Sequence, residues 1–150
     1  MAEPVADEEP LNTGVLLFIP YRALEDRVFA ALAEAGFADV TPAQGRVLQR
    51  IGPHGTRLTE LAAAAQVTKQ TAGFLVDQLE RAGYVRRTPD PSDARARLVR
   101  LADRALAAKT VADGVVAAVE GDWRAHLGER RYRQLREALT RLREITDPYR

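Results

Sequence analysis

Cysteine is absent from the sequence, which excludes disulfide-stabilised folds, thiol redox sensors and metal sites built on thiolates. Long apolar runs are absent too, since no stretch approaches the roughly 20 residues that a membrane-spanning helix requires. The first nine residues are acidic and lack the pattern of a secretory signal peptide. Without a signal for export or membrane insertion, we expect the protein to be cytoplasmic.

Residues typical of metal or catalytic sites are scarce. The two histidines are His54, in a predicted loop, and His126, near a predicted helix end. Asp122 lies one helical turn before His126, but a metal site would also need ligands from distant elements, so a solvated histidine is the simpler interpretation. The chain has no P-loop, no Gly-x-Gly-x-x-Gly motif and no Ser-His-Asp arrangement. We therefore predict a protein that is not an enzyme and that uses no metal or cofactor.

The net charge of +1 is unevenly distributed over the 150 residues. Residues 41–101 contain ten basic and five acidic side chains, whereas residues 1–40 contain two basic and eight acidic ones. A positive excess confined to one segment is what a phosphate-contacting surface requires. The chain length suits one domain with an additional oligomerisation part.

Within residues 57–101, two short amphipathic segments precede a hairpin pattern. The first segment, 59–66, has Thr59 as its predicted N-cap, and the second begins after a second capping residue, Thr68. The second segment ends before Gly83, which stands where helices favour a left-handed residue. Two helices separated by a tight break predict a helix-turn-helix.

The second helix of this motif has two contrasting faces. Its apolar side chains form one arc that must face the core: Ala72, Leu75, Val76 and Leu79. The opposite arc carries Gln70, Gly73, Phe74, Asp77 and Arg81. Its first two turns show an amide, a glycine and an aromatic ring, where an ordinary solvated face would be charged throughout. In a major groove, Gln70 could read an adenine edge and Phe74 could contact a thymine methyl group. The alternative is a plain exposed helix with one isolated phenylalanine.

A β-hairpin pattern follows this helix. Two strand-forming runs, 85–88 and 97–101, flank the turn-forming residues 89–93. The tip and the second strand carry Arg95, Arg97 and Arg100. A helix-turn-helix followed by an arginine-bearing hairpin predicts a winged helix that binds DNA.

These segments resemble the MarR family of bacterial transcriptional regulators. The resemblance covers residues 41–101 and begins with Thr41-Pro42-x-Gln44-x-x-Val47-Leu48, Leu58-Thr59-Glu60-Leu61-Ala62 and Val67-Thr68-Lys69-Gln70-Thr71. It continues with Leu75-Val76-Asp77-x-Leu79-Glu80-x-x-Gly83 and Asp90-Pro91-x-Asp93-x-Arg95. The last motif is the most specific, because it combines an Asp-Pro turn with Asp-x-Arg at a set distance from the preceding helix end.

The resemblance implies that Arg95 enters the minor groove and that Asp93 helps to hold it. The predicted DNA-binding residues are Thr68, Lys69, Gln70, Thr71, Gly73, Phe74, Arg86, Asp93, Arg95 and Arg97. After the second wing strand the family usually has Leu-Thr-x-x-Gly, whereas this chain has Leu101-Ala102-Asp103-Arg104-Ala105. We therefore expect Asp103 to cap the next helix.

Further helices surround the predicted lobe. One covers 12–36, where Pro20 should kink or divide it, and another runs from the capping box of Thr41 and Gln44 to about Ile51. Two more are predicted over 103–126 and 129–145. The predicted fold class is mainly α: a winged helix-turn-helix lobe over 41–102 with a two-stranded β-wing, long dimerisation helices over 12–40 and 103–150, and a disordered tail over 1–11.

The terminal helices carry more apolar surface than one small lobe can cover. A homodimer would bury this surface, and a homodimer is also what the resemblance implies. The predicted dimerisation residues are Leu16, Phe18, Ile19, Leu135, Leu139, Leu142 and Ile145.

The resemblance further implies a repressor of a pseudo-palindromic operator, whose partners are double-stranded DNA and a second copy of the chain. Family members often bind a small anionic or aromatic ligand between the dimerisation helices and the DNA-binding lobe. Candidate lining residues here are Phe18, Tyr21, Arg22, Arg46 and Trp123. Aromatic residues at helical spacing more often belong to a core, which is the alternative interpretation.

Two other functions remain open. A winged-helix protein-interaction module would use Phe74 to contact a protein and would lack salt-dependent DNA affinity. A small enzyme with an unrecognised site would tolerate substitutions in the recognition helix.

Overall fold

The computed structural model describes residues 9–147, which form six helices and three strands. In chain order these are α1 (Thr13–Glu34), α2 (Pro42–Leu48), β1 (Thr56–Arg57), α3 (Leu58–Ala64), α4 (Lys69–Arg81), β2 (Val85–Asp90), β3 (Asp93–Leu101), α5 (Asp103–Leu127) and α6 (Glu129–Thr146). The mainly helical class and the winged helix are confirmed. Most of the tail predicted to be disordered, residues 1–8, lies outside the described residues, as do residues 148–150.

Helix α1 is continuous through Pro20, so the predicted division at this residue is wrong. The Asn12 side chain caps the helix by accepting a hydrogen bond from Val15 N at 2.9 Å. A proline within a helix removes one hydrogen bond and costs about 3 kcal/mol or more. Packing of α1 against α5 extends over many residues and offsets that local cost.

Helices α2 and α3 differ at their ends from the predictions. The capping box of Thr41 and Gln44 is confirmed, but α2 ends at Leu48, about one turn before the predicted Ile51. Helix α3 begins at Leu58 without a side-chain cap, so the prediction of Thr59 as its N-cap is wrong. The reason is tertiary: the preceding residues, Thr56–Arg57, are held extended as strand β1 by pairing with β3.

The wing belongs to a three-stranded antiparallel sheet of order β1-β3-β2. The predicted two-stranded wing corresponds to β2 and β3, and β1 is a third, short strand that the sequence pattern did not indicate. Both wing strands are longer than predicted, because pairing continues from Val85↔Leu101 to Asp90↔Asp93. Only Pro91 and Ser92 remain as the turn.

The core lies where α4 meets the sheet and the shorter helices. Its largest fully buried side chains are Tyr84, Leu61, Leu79, Val47, Val76 and Val99. The four apolar residues predicted to form the buried face of α4 are all buried. Gly83, with φ of +82°, adopts the predicted left-handed conformation after α4 and directs Tyr84 into the core.

Helices α5 and α6 follow the wing, and α5 contributes Ala105 and Ala108 to the core. The predicted capping by Asp103 is wrong: Ala102 is the N-cap residue, and its backbone N donates to Tyr84 O at 2.9 Å. This bond to the residue that precedes β2 sets the start of α5. Within α6, Tyr132 is the buried residue. No helix in residues 9–147 is long and apolar enough to cross a membrane.

Candidate DNA interface and regulatory cavity

The N-terminal half of α4 presents an open face with mixed chemistry. Thr68 caps the helix by accepting a hydrogen bond from Thr71 N at 3.1 Å, and its hydroxyl donates to Thr71 Oγ1 at 2.9 Å. Lys69 and Gln70 are exposed in the first turn, and Phe74 is 63% exposed one turn later. A cation, an amide and an aromatic ring are therefore exposed together on one helix, as a recognition helix that binds in the major groove requires.

Gly73 lies at the side of this face rather than at its centre. A Cβ at this position would lie 3.7 Å from Leu58 Cδ2, which is an ordinary van der Waals contact with α3. The structure thus directs Gly73 toward the preceding helix of the motif. Of the residues predicted for the recognition helix, Lys69, Gln70, Thr71 and Phe74 share the exposed surface.

The wing arginines divide between the two faces of the sheet. Side chains alternate along a strand, so Arg97 lies on the side of β3 that carries the buried Val99. This side faces α4. Arg86 pairs with Arg100 in the register and therefore lies on the other face. The register shifts near the wing tip, so this alternation does not extend to Arg95, which is exposed there.

The wing tip is held by two aspartates. Asp93 Oδ1 accepts a hydrogen bond from the backbone N of Arg95 at 3.0 Å, so Asp93 supports the main chain on which Arg95 stands. Asp90 is only 8% exposed and accepts from both Ser92 N and Ser92 Oγ at 2.8 Å. Its other oxygen accepts from Arg57 Nε at 2.8 Å. These bonds from Ser92 and Arg57 hold the pKa of the Asp90 carboxyl below its ordinary value.

The Asp90–Arg57 pair was not predicted as part of the site. The Asp-Pro-Ser sequence signals the bonds to Ser92, since a short acidic side chain commonly accepts from the backbone two residues on. Arg57 stands 33 residues earlier in the chain, on β1. Only the pairing of β1 with β3 brings its guanidinium to the wing.

Two further arginines of the lobe are engaged within the protein. Arg87 donates to Asp77 at 2.7 Å and to Glu80 at 2.9 Å, which ties β2 to α4. Arg100 Nε donates to Thr88 Oγ1 at 2.8 Å across the wing strands. By contrast, six cations of the lobe form no ion pair within residues 9–147: Lys69, Arg81, Arg86, Arg95, Arg97 and Arg100. These six supply the uncompensated positive charge around α4 and the wing.

A cavity of about 320 Å³ lies between α1, α2 and α5, where the long helices meet the winged-helix lobe. Most of its wall is apolar: Leu24, Val28, Phe29, Leu32, Val40, Gly45, Leu48, Ile51, Leu101, Ala105, Ala108, Ala112 and Val116. Its polar wall residues are Tyr21, Glu25, Gln49, Lys109 and Asp113.

The predicted ligand-binding residues separate into two groups. Tyr21 lines the cavity, whereas Arg22 and Arg46 are partly exposed side chains that do not line it and that both donate to Glu25. Phe18 and Trp123 are not wall residues, and Phe18 is exposed on α1. Glu25 was not among the predicted residues, because an acidic residue within a helix rich in charged neighbours normally indicates a solvated face.

Glu25 is the centre of a polar cluster beside the cavity. Tyr21 Oη donates to Glu25 Oε2 at 2.7 Å, Arg22 Nη1 donates to Oε1 at 2.6 Å, and Arg46 Nη2 lies 3.2 Å from both oxygens. Burial opposes ionisation of the Glu25 carboxyl, but these hydrogen bonds outweigh it and hold its pKa below the ordinary value. Glu25 is therefore a buried carboxylate that connects α1 to Arg46 of α2.

A separate apolar surface runs along α1 and α6. Every residue predicted to form the dimer interface is exposed in the isolated chain: Leu16, Phe18, Ile19, Leu135, Leu139, Leu142 and Ile145. Several adjacent large apolar side chains in contact with water are unusual on a monomer and typically mark a protein interface.

Within residues 9–147, no group of three or more histidine, cysteine or acidic side chains is arranged to hold a metal ion.

The MarR family model matches residues 38–96, the segment that contains the helix-turn-helix and most of the wing. No curated protein sequence matches the chain significantly. Among solved structures, a MarR family protein of Mycobacterium tuberculosis in complex with salicylic acid is 31% identical, with a TM-score of 0.61. That alignment covers 92% of this chain and 99% of the mycobacterial one.

Two other structures extend the comparison. A transcriptional regulator of Thermotoga maritima is 26% identical, with a TM-score of 0.58 and coverage of 88% of this chain and 92% of its own. The complex of Staphylococcus aureus MepR with DNA has a TM-score of 0.69 at 20% identity, and covers 89% of this chain and 97% of the MepR chain. At 20% identity the MepR likeness establishes the fold alone.

Proposed function

The chain belongs to the MarR family of transcriptional regulators, and from this premise we propose that it is a homodimeric repressor of a pseudo-palindromic operator in double-stranded DNA. The family is one of regulators rather than enzymes. The observation that carries the proposal is the open recognition face of α4 together with two exposed wing cations that form no ion pair among the described residues, Arg95 and Arg97. The proposed place of action is the bacterial cytoplasm, where operator DNA lies.

In the proposed complex, α4 enters the major groove and the wing reaches the flanking minor groove. Gln70 would read an adenine edge, Phe74 a thymine methyl group, and Lys69 a phosphate near the helix N-terminus. Arg95 would enter the minor groove while Asp93 supports its backbone. Arg86 and Arg97 would contact phosphates on either side of the wing.

A homodimer is proposed because of the apolar surface on α1 and α6. A twofold-symmetric dimer would place two recognition helices about one helical turn apart, which matches successive major grooves. Bound in this way, the dimer would block access of polymerase to a promoter that overlaps the operator. Repression is therefore the expected effect on transcription.

The cavity between α1, α2 and α5 is proposed as the site of a small effector. The mycobacterial relative was solved with salicylic acid, and this cavity is a largely apolar space at the junction of the long helices and the lobe. An effector acts only if it binds the DNA-incompetent arrangement more tightly than the competent one. A hundredfold loss of DNA affinity corresponds to about 2.7 kcal/mol of coupling.

The test is selection from a pool of random duplexes, followed by fluorescence anisotropy of the selected sequences at several salt concentrations. We expect an enriched palindrome, bound by a dimer with a steep salt dependence. Because a homodimer has two wings, Arg95→Ala should lower the slope of log K against log salt by about 1.8.

Arg131→Ala is the control for Arg95→Ala, because it removes the same charge from an exposed position of α6, outside the DNA-binding lobe. We expect its salt slope to remain near that of the unmodified protein. Weak binding without an enriched sequence or a salt slope would instead favour a protein-interaction module, and the exposed Phe74 would then be the surface to test.

A further inference from the structure

The cavity between α1, α2 and α5 has an unusual distribution of charge: its buried ionic wall residue is an anion. We propose that this cavity selects neutral, largely apolar molecules of one or two aromatic rings, and that Glu25 excludes carboxylates. The inference rests on the proposed effector function and specifies its ligand chemistry. It departs from the expectation of an anionic ligand.

The size and apolar walls of the cavity set the first part of the selection. At about 320 Å³ it lies at the lower end of the roughly 300–1,000 Å³ of small-molecule sites. Its inner wall consists of aliphatic side chains and the Phe29 ring, with three alanines of α5: Ala105, Ala108 and Ala112. Transfer of an aromatic ring from water to such walls is favourable in free energy, whereas a charge buried among them would lose its hydration without gaining a partner.

The cluster around Glu25 sets the second part. Glu25 is 6% exposed and lines the cavity, whereas its partners Arg22 and Arg46 are not wall residues. Both guanidinium groups direct hydrogen bonds to the Glu25 carboxylate, and Arg22 also lies 3.3 Å from Asp26. A ligand carboxylate within the cavity would therefore meet the Glu25 carboxylate and not a guanidinium group.

The remaining wall cation, Lys109, does not change this balance. Its Nζ lies 2.5 Å from Asp113 Oδ2, one turn further along α5, and both side chains are largely exposed. This pair is at the mouth, where solvent weakens its attraction for a ligand. Lys109 is the only cation among the described residues that line the cavity, and it already has an acidic partner.

Hydrogen bonding at the mouth suits a neutral polar group. Gln49 lines the cavity, and its side-chain amide forms no hydrogen bond within residues 9–147. A primary amide or a carbonyl on the ligand could pair with Gln49 while the ring occupies the apolar interior. A cationic group gains little, because Arg22 and Arg46 already balance the charge of Glu25, and a carboxylate gains little because these donors are already committed to Glu25.

Three isosteric probes test the charge preference directly: 2-naphthamide, 2-naphthoate and 2-naphthylmethylammonium. Isothermal titration of the full-length protein at neutral pH gives the affinity of each. We expect 2-naphthamide to bind at least tenfold more tightly than 2-naphthoate, with the ammonium compound also weaker than the amide. Tighter binding of 2-naphthoate would overturn the inference and leave an effector site of the opposite charge preference.

Two substitutions locate the binding and identify its cause. Ala112→Phe fills the cavity and should abolish binding of 2-naphthamide, whereas Ala107→Phe, the same change at an exposed position of α5, should not. Glu25→Gln removes the anion and leaves Arg22 and Arg46 uncompensated, so the ratio of amide to carboxylate affinity should fall at least tenfold. An unchanged ratio in folded Glu25→Gln protein would exclude Glu25 as the selective group.

The unmodified protein remains informative if Glu25→Gln does not fold, because its own ratio of amide to carboxylate affinity already distinguishes the outcomes. Absence of binding by all three probes would overturn the inference, since the cavity would then not accept a ring of this size. Operator selection and the Arg95→Ala titration test the DNA-binding function without any ligand, so a failure of the ligand proposal can be distinguished from a failure of the proposed function.

Discussion

Dimerisation through α6 is open to a direct quantitative test. Leu139 and Leu142 lie on the same stripe of the helix, and replacing both with glutamine keeps volume and helix propensity while removing apolar surface. Leu139 is 39% exposed and Leu142 is 42% exposed, so together they leave about four fifths of one leucine in water. The substitutions should therefore weaken association without unfolding the protomer.

The expected size of the effect follows from the exposed surface. Burying a complete leucine side chain stabilises by about 1.5–3 kcal/mol, so covering this surface on two protomers contributes roughly 2.5–5 kcal/mol. The dissociation constant of the dimer should then rise by roughly two to three and a half powers of ten. Operator affinity should fall with it at protein concentrations below the new dissociation constant.

Sedimentation equilibrium over a range of concentrations measures this constant, and circular dichroism checks that helix content is retained. The matched control is Thr140→Gln with Glu144→Gln, on the same helix but about 160° around it from Leu142. We expect the control to associate like the unmodified protein. If the leucine variant associates equally well while remaining helical, the α6 stripe is not at the interface and the reasoning from exposed area is refuted.

Three further predictions concern the wing, the recognition helix and the core. Asp90→Asn should weaken operator binding, because Asp90 holds the wing in place. In the Arg95→Ala background the same substitution should cause little further loss of affinity, and additive losses in anisotropy titrations would contradict this. Phe74→Ala should reduce preference at a single base pair by about 1–3 kcal/mol in competition assays, with affinity for random duplexes unchanged. Burial and the hydrogen bond to Asp39 raise the pKa of Tyr84 to about 12, so the folded state holds this proton more tightly than the unfolded chain. Stability should be complete below about pH 10 and fall by roughly 2–3 kcal/mol as the pH rises to about 12, whereas Tyr84→Phe should lack this loss in chemical denaturation series.

Features that depend on neighbouring residues were predictable from the sequence. The hydroxyl of Thr68 caps α4 by accepting a hydrogen bond from the backbone N–H of Thr71, only three residues later. Gly83 follows the end of the same helix because glycine adopts positive φ at little cost. The two faces of α4 follow from a period of 3.6 residues, so the burial of Leu79 and the exposure of Phe74 are both apparent from spacing.

The start of α3 shows where local reasoning failed. Thr59 has the chemistry of an N-cap, but pairing of Thr56 and Arg57 with β3 holds the chain extended up to the residue before Leu58. A strand of two residues has no detectable alternation, and its partner lies about 40 residues further along. Long-range pairing therefore overrode the local capping preference.

The candidate sites divide in the same way. Which side chains α4 exposes depends on one helix and could be predicted from the sequence, whereas which wing arginines form ion pairs depends on contacts between elements. Arg87 is neutralised by Asp77 and Glu80 of α4, and Arg57 is drawn to Asp90 across 33 positions. From the sequence composition alone, Arg57 and Arg87 contribute the same positive charge to the lobe as Arg95.

The cavity was determined entirely by tertiary structure. Its walls come from three helices and the end of a strand, and the buried Glu25 accepts a hydrogen bond from Arg46, 21 positions later. Periodicity and capping act over one or two helical turns, so the sequence by itself determined the helices, the faces of α4 and the turn of the wing. Charge neutralisation and enclosed volume depend on the relative placement of distant elements, and packing of the folded chain alone decided them.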